Sequence, residues 1–317
     1  MAAHSAFPLL PADPAVLAPT LFAGTGGRVL LFGESGVGKS TLARALALEL
    51  AAAGRPCWLI GADPGSPALG VPGALALACW QQDRWQVRAL AAVCSLDAAR
   101  FRLPLALAVQ QLAADAGTPL LIDAPGLVRG VAAAELLNAL VMTAAVDKVL
   151  LIARPGRPPL HDELSLLPVP VWWAIASSRA YHAGKLERAQ RRSELWAEYL
   201  AAARPRQFCL DRLPVLGTPP LRAPAEVWAG RQVAMLARRR TLAMGEVESL
   251  RGRTLCVRAP AFAGEADALL MRDAGCDRVG RLRTRQRPAL SRQAAATADP
   301  ASVSPPPAGA PARSNSR

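Results

Sequence analysis

A mostly parallel β-sheet with helices on both faces is the fold class this sequence predicts, and three observations predict it. Apolar strand-like runs and helical stretches alternate from about residue 28 to residue 203, the pattern of consecutive βαβ units. Between the first such strand and the first such helix stands Gly33-Glu34-Ser35-Gly36-Val37-Gly38-Lys39-Ser40, a complete G-x-x-x-x-G-K-S loop. Two later strands end in an aspartate, Asp63 and Asp123, which a parallel sheet brings to the edge that carries the loop.

The elements follow in order. Arg28-Val29-Leu30-Leu31-Phe32 is a short apolar run that reads as a buried strand, and Thr41 to Leu50 after the loop reads as a helix with an apolar stripe. That strand–loop–helix context makes the loop a phosphate site of the P-loop NTPase kind. Its glycines let successive backbone N–H groups curl around a β-phosphate, where the helix N-terminus adds partial positive charge. Gly33 through Thr41 are therefore the candidate nucleotide-binding residues. Lys39 can reach the β- and γ-phosphates, and the Ser40 hydroxyl can ligate Mg²⁺. A second strand over 56–61 leads to Asp63, a helix covers about 104–116, and a third strand, 119–122, leads to Asp123. Helix 131–145 and strands 148–152 and 171–175 continue the alternation.

The chain of 317 residues has room for one large α/β domain and a smaller appendage. Residues 1–24 read as an N-terminal extension and 25–240 as the P-loop domain, with a lid-like basic helix near 185–203. Short β segments around Gly252 suggest a small module over 241–286, and 287–317, rich in Ala, Pro, Ser and Arg, read as a disordered basic tail. No apolar run reaches the roughly 18–20 residues of a membrane span, so no membrane partner is expected. The N-terminus lacks a basic region followed by an apolar core. The six cysteines are scattered without a C-x-x-C pair and read as thiols of a reducing compartment, the cytoplasm.

Charge is uneven along the chain. Residues 1–160 hold 12 Lys+Arg against 10 Asp+Glu, and residues 161–317 hold 25 against 14, which together give the net +13. The basic second half suits a polyanionic partner.

Asp123 heads Asp123-Ala124-Pro125-Gly126 at the end of an apolar strand, as a Walker-B-like carboxylate does. Asp63 lies in Gly61-Ala62-Asp63-Pro64-Gly65-Ser66, with Val71-Pro72-Gly73-Ala74-Leu75 downstream. A strand-end D-P-G followed by P-G-x-L-x-L is more than generic nucleotide binding requires. Here the chain resembles the polynucleotide 5′-hydroxyl-kinase family, the ATP-dependent RNA kinases of messenger-RNA 3′-end cleavage, transfer-RNA splicing and ribosomal-RNA processing. That family shows D-x-D-P-G-Q, a downstream P-P-G, and a strand ending N-T-P/C-G-W-V-K-G, to which Asp123-Ala124-Pro125-Gly126-Leu127-Val128-Arg129-Gly130 is similar. It also carries an arginine-bearing lid helix ending in Y-F, matched by Lys185 to Tyr199-Leu200. Arg188 and Arg192 lie four apart and share one face of that helix.

The resemblance implies transfer of the γ-phosphoryl of ATP to 5′-hydroxyl ends of RNA or DNA. Lys39 would hold the triphosphate, Asp63 would accept the proton, and Arg188 and Arg192 would neutralise the transferring group. Mg²⁺ would sit on Ser40 and an aspartate, Asp123 or Asp63. The departures are Ser66 for glutamine, Asp123 and Ala124 for Asn-Thr, and Leu127 for tryptophan, which removes any base stacking there. Two further readings stay open: a nucleotide-driven GTPase or ATPase switch, lowered by the lack of an N/T-K-x-D motif after Asp123, and an ATP-binding nucleic-acid scaffold without turnover.

Overall fold

The computed structural model describes residues 7–23, 27–156, 158–181, 183–220 and 223–285. The tail 287–317 lies outside these residues, as does the start of the N-terminal stretch. Two sheets organise the described chain. The first contains β1 (Leu9–Leu10), β2 (Arg28–Phe32), β3 (Trp58–Gly61), β4 (Ala74–Gln81), β5 (Arg84–Ala92), β6 (Leu120–Asp123), β7 (Lys148–Ala153) and β8 (Val171–Ile175). Its strand order is β1-β8-β7-β2-β6-β3-β4-β5. All neighbours through β3 run parallel, whereas β4 and β5 form an antiparallel hairpin at one edge.

Alternation along the central strands divides the core in two. Leu30 and Phe32 of β2, with Leu120 and Ile122 of β6, face the layer that includes α3 (Arg102–Asp115) and α4 (Val131–Thr143). Val29 and Leu31, with Leu121, face α1 (Pro14–Leu21) and α2 (Lys39–Ala52). Because both faces are covered, β2 is an unbroken apolar run, the signature of a doubly buried strand. Residues read as an extension belong to this layer: β1 pairs with β8, and Leu17, Leu21 and Phe22 are buried beside α2. Asp13 caps α1 by accepting from Ala15 N at 3.0 Å, with Pro14 at its first position.

The second sheet is built from β9 (Arg204–Cys209), β10 (Val215–Gly217), β11 (Arg231–Ala237), β12 (Arg240–Arg251), β13 (Thr254–Ala259), β14 (Ala268–Cys276) and β15 (Leu282–Thr284). It follows the short α5 (His161–Ser165) and the basic α6 (Lys185–Tyr199). The order is β10-β14-β11-β12-β13-β9, with β15 on β14. This sheet begins at Arg204, within the 25–240 stretch that the sequence assigns to the P-loop domain, because Arg204-Pro205-Arg206 at the start of β9 masks the strand pattern.

Both hairpin turns that join the longest antiparallel pairs lack glycine. Gln82 and Asp83 have φ of 52° and 56°, and Arg238 and Arg239 have 49° and 66°, two left-handed residues in succession as a type I′ turn needs. The usual Asn-Gly or Asp-Gly signal is absent, so the β4–β5 hairpin is not evident in the sequence.

The sheets are sewn together by specific bonds. Ala274 N donates to Cys94 O at 3.1 Å, Ala92 N donates to Thr241 Oγ1 at 2.9 Å, and buried Gln232 donates through Nε2 to Pro72 O at 3.0 Å. A shared core of Val71, Ala74, Trp196, Leu200, Leu236, Met244 and Leu270 joins the hairpin edge, α6 and the second sheet. Helix α6 is anchored on that sheet. Trp196 Nε1 donates to Glu246 Oε2 at 3.0 Å, the Tyr199 hydroxyl accepts from Met244 N at 3.0 Å, and Ser193 Oγ accepts from Leu282 N at 3.0 Å. Among the described residues no helix is long and apolar enough to cross a membrane.

Replacing Tyr199 by phenylalanine removes the acceptor from a backbone N–H of a fully buried residue. The expected cost is about 1–3 kcal/mol, read as a fall of roughly 2–8 °C in melting temperature by calorimetry. An unchanged melting temperature would mean that α6 is held by its apolar contacts alone.

Candidate nucleotide-binding and catalytic site

The order β2-β6-β3 places three strand ends side by side, and each delivers one part of the site. From β2 the chain turns through the loop into α2. Gly33 has φ +153°, and a Cβ there would lie 2.2 Å from Ile152 O, so the loop leaves β2 against the end of β7 by a path only glycine permits. Gly36 and Gly38 have φ of 80° and 97°. Helix α2 begins at Lys39, directing its unpaired N-terminal amides and dipole at the cleft.

Lys39 is buried and folds back on the loop, where Nζ donates to Gly33 O at 2.8 Å and to Glu34 O at 2.9 Å. Its pKa is pushed down by burial, against the opposing pull of Asp123, Asp63 and Glu34. From β6, Asp123 accepts from Ser40 Oγ through Oδ2 at 2.5 Å. Burial pushes the Asp123 carboxyl up, opposed by Lys39 and the Ser40 hydroxyl, while Asp63 adds to the rise. Buried Lys39 and Asp123 thus meet the more exposed Ser40 hydroxyl in one cluster that joins the start of α2 to β6.

From β3, Asp63 closes an Asx turn: Oδ1 accepts from Gly65 N at 2.9 Å and from Ser66 N at 3.0 Å. Among the described residues Oδ2 takes no hydrogen bond. The cleft above these groups has a volume of about 840 Å³. Ser35 to Arg44 of the loop and α2, Asp63, Asp123 and the loop 176–181 line it, with Arg188 and Arg191 of α6.

The two arginines read as a catalytic pair part company. Arg188 lines the cleft, whereas Arg192 turns to the Asp63 turn and donates through Nη1 to Gly65 O at 3.0 Å. Arg191 takes the second place on the wall. Helical spacing cannot separate these outcomes, because 188, 191 and 192 all lie on adjoining positions of one face.

Sequence reasoning also missed the work of Gly126. A Cβ on it would approach the Ser35 backbone N to 2.6 Å, so the loop rests directly on the turn after Asp123. The D-A-P-G spelling marks the turn but not its contact. Arg129 pairs with Glu34 across the same junction, Nη2 to Oε1 at 2.8 Å. Leu127 packs against the α3/α4 core, and the aromatics on the cleft wall are Trp85 of the unforeseen hairpin and Tyr181.

The donors at Ser40, Asp123 and Asp63 are all oxygens, the set Mg²⁺ takes. Among the described residues no group of three or more His, Cys, Asp or Glu converges.

Changing Gly126 to alanine should push the loop off its seat. Nucleotide affinity is expected to fall by more than tenfold in isothermal titration, while far-UV circular dichroism stays that of the parent. Parent-like affinity would show that the loop yields without loss of shape.

Comparison with known proteins agrees with this geometry. Residues 33–91 match the family described as mRNA cleavage and polyadenylation factor CLP1 P-loop. Among solved structures, a wild-type Clp1p–Pcf11p complex superposes with a TM-score of 0.65 at 13% identity, covering 82% of this chain and 78% of that one. A second, describing an extended interface between Pcf11p and Clp1p and the basis for ATP loss in a glycine-to-arginine point mutant, gives 0.63 at 13% identity, over 82% and 77%. No curated protein matches. Residues 33–91 are thus similar to the phosphate-loop part of that family, and the fold of the chain is that of its Clp1p neighbours.

Proposed function

We propose that this chain, with its CLP1-type phosphate loop, is an ATP-dependent kinase that transfers the γ-phosphoryl group to the 5′-hydroxyl of RNA or DNA. One observation carries the reading. Asp63 lies in the cleft of the phosphate loop with Oδ1 tied down by its own turn and Oδ2 free of hydrogen bonds among the described residues. A second carboxylate in the cleft, with Arg188 and Arg191 on its wall, favours phosphoryl transfer over nucleotide binding alone.

In this reading Asp63 Oδ2 takes the proton of the attacking hydroxyl. The hydroxyl oxygen bonds to the γ-phosphorus as the bond to the β,γ-bridging oxygen breaks, and ADP leaves with that electron pair. The loop amides and the start of α2 hold the β-phosphate. Lys39 exchanges two carbonyl acceptors for phosphate oxygens, and Arg188 and Arg191 meet charge that grows in the transition state. Ser40 and Asp123 would hold Mg²⁺, with Asp63 the alternative ligand; when bound, the ion neutralises charge on the β- and γ-oxygens. The arginine-rich second half supplies the field that a nucleic-acid strand would follow.

Purified protein incubated with γ-labelled ATP or GTP and 5′-hydroxyl RNA and DNA oligonucleotides tests the proposal. Label on an oligonucleotide supports the kinase. Free phosphate alone supports a nucleotide-driven switch, and neither product supports a binding scaffold. Lys39→Ala should abolish transfer with the fold intact, because it removes the charge facing the phosphates.

Asp63→Asn keeps shape and removes the proton acceptor. It should bind ATP nearly normally and lose transfer by roughly 10²–10⁴-fold. Recovery at raised Mg²⁺ would instead assign the carboxylate to the ion, and full activity at ordinary Mg²⁺ would remove both roles.

A further inference from the structure

Arg192 makes a contact that its place on a lid helix does not call for. Its Nη1 donates to Gly65 O at 3.0 Å. That carbonyl belongs to the Gly65–Ser66 peptide, whose N–H at Ser66 donates to Asp63 Oδ1 at 3.0 Å. Guanidinium, peptide and carboxylate therefore form one chain of hydrogen bonds. A carbonyl that accepts from a cation polarises its own amide, so the N–H at the other end becomes the stronger donor.

Both ends of the chain are held. Behind Arg192, α6 is fixed to the second sheet by Trp196, Tyr199 and Ser193. Under the turn, Gly65 packs closely on Leu96 O, which a Cβ there would approach to 2.4 Å. The Arg192 Nε is buried without a partner, an uncompensated desolvation that a side chain adopted for stability alone would avoid. Arg188 and Arg191, by contrast, face the open cleft.

We infer that Arg192 is a positioning residue, which fixes the Asp63 carboxylate through the Gly65–Ser66 peptide and does not itself touch the transferring phosphoryl group. The inference rests on the kinase reading for its effect on rate, but the strap itself can be observed without catalysis. With Oδ1 locked, Oδ2 is the only carboxylate oxygen that can turn to an incoming hydroxyl. The second sheet thereby reaches the reacting centre: it holds α6, α6 holds Arg192, and Arg192 holds the turn.

The test is a double-mutant cycle together with amide exchange. In Arg192→Ala the Ser66 amide should exchange with deuterium about tenfold faster or more, the factor expected for loss of one modest hydrogen bond. Arg188→Ala should leave that amide unchanged. Transfer by Arg192→Ala should fall by about 10²-fold, the usual effect of misplacing a reacting group by an ångström, with the KM for ATP unaltered. Arg192→Lys, which can still reach the carbonyl with one donor, should recover part of both readouts.

Adding Arg192→Ala to Asp63→Asn should cost nothing further, because the group being positioned is already gone. Multiplicative losses in the double variant would overturn the inference and return Arg192 to direct contact with the phosphoryl group. Unchanged Ser66 exchange in Arg192→Ala would overturn the strap whatever the activity. Full transfer by Asp63→Asn would instead sink the base assignment while leaving the exchange result to stand or fall by itself.

Discussion

The hydrogen bond from Ser40 to Asp123 is the interaction on which the site depends. It joins the first turn of α2 to the end of β6 at 2.5 Å, beside a lysine and a carboxyl whose burial pushes the first down and the second up. The phosphate loop, α2 and β6 meet at this cluster. The loop must arch over it, so Gly126 must make room beneath Ser35. Asp63 must stand one strand away, so that its charge acts on Lys39 without competing for the Ser40 hydroxyl. A low local dielectric strengthens each of these contacts and also makes each a liability when unpaired. Nucleotide and cation would relieve that liability, a physical reason for the cluster to bind them.

Much of this was legible in the residues. The strand–loop–helix unit, the aspartates at two strand ends and the basic helix were each visible because a short-range rule governs them: periodicity, glycine conformation, helix-face spacing. The structure follows those rules at Arg28–Phe32, Lys39–Ala52 and Lys185–Tyr199. What escaped depends on partners far away in the chain. The β4–β5 hairpin turns on Gln82 and Asp83, residues that carry no turn signature, and it is stabilised by burial against residues 234–270. The diverging fates of Arg188 and Arg192 hinge on whether the Gly65 carbonyl lies within reach, a matter of tertiary packing. N-terminal residues 9–22 read as an extension because a two-residue strand leaves almost no pattern, although Leu17, Ala18, Leu21 and Phe22 are buried beside α2.

The departures from the kinase motifs acquire a local meaning in the fold. Leu127 turns into the α3/α4 core, so its loss of aromatic character empties nothing in the cleft. Ser66 contributes to the Asp63 turn through its backbone amide, a contact available to almost any side chain, glutamine included. Asp123 gains the Ser40 hydroxyl as a partner, which an asparagine could also accept, but with a charge that a divalent ion can balance.

The anchoring of α6 has a consequence for the order in which the protein is made. Its holding points, Met244, Glu246 and Leu282, lie about 45 to 90 positions further along the chain, and the seam between the sheets joins Cys94 to Ala274. A chain emerging from the ribosome therefore completes its phosphate loop long before it can seat the helix whose Arg188 and Arg191 line the cleft. Contacts of such sequence separation form late and slowly. For that interval the nascent cleft lacks one of its walls, and only the last strands of the second sheet fix that wall in place.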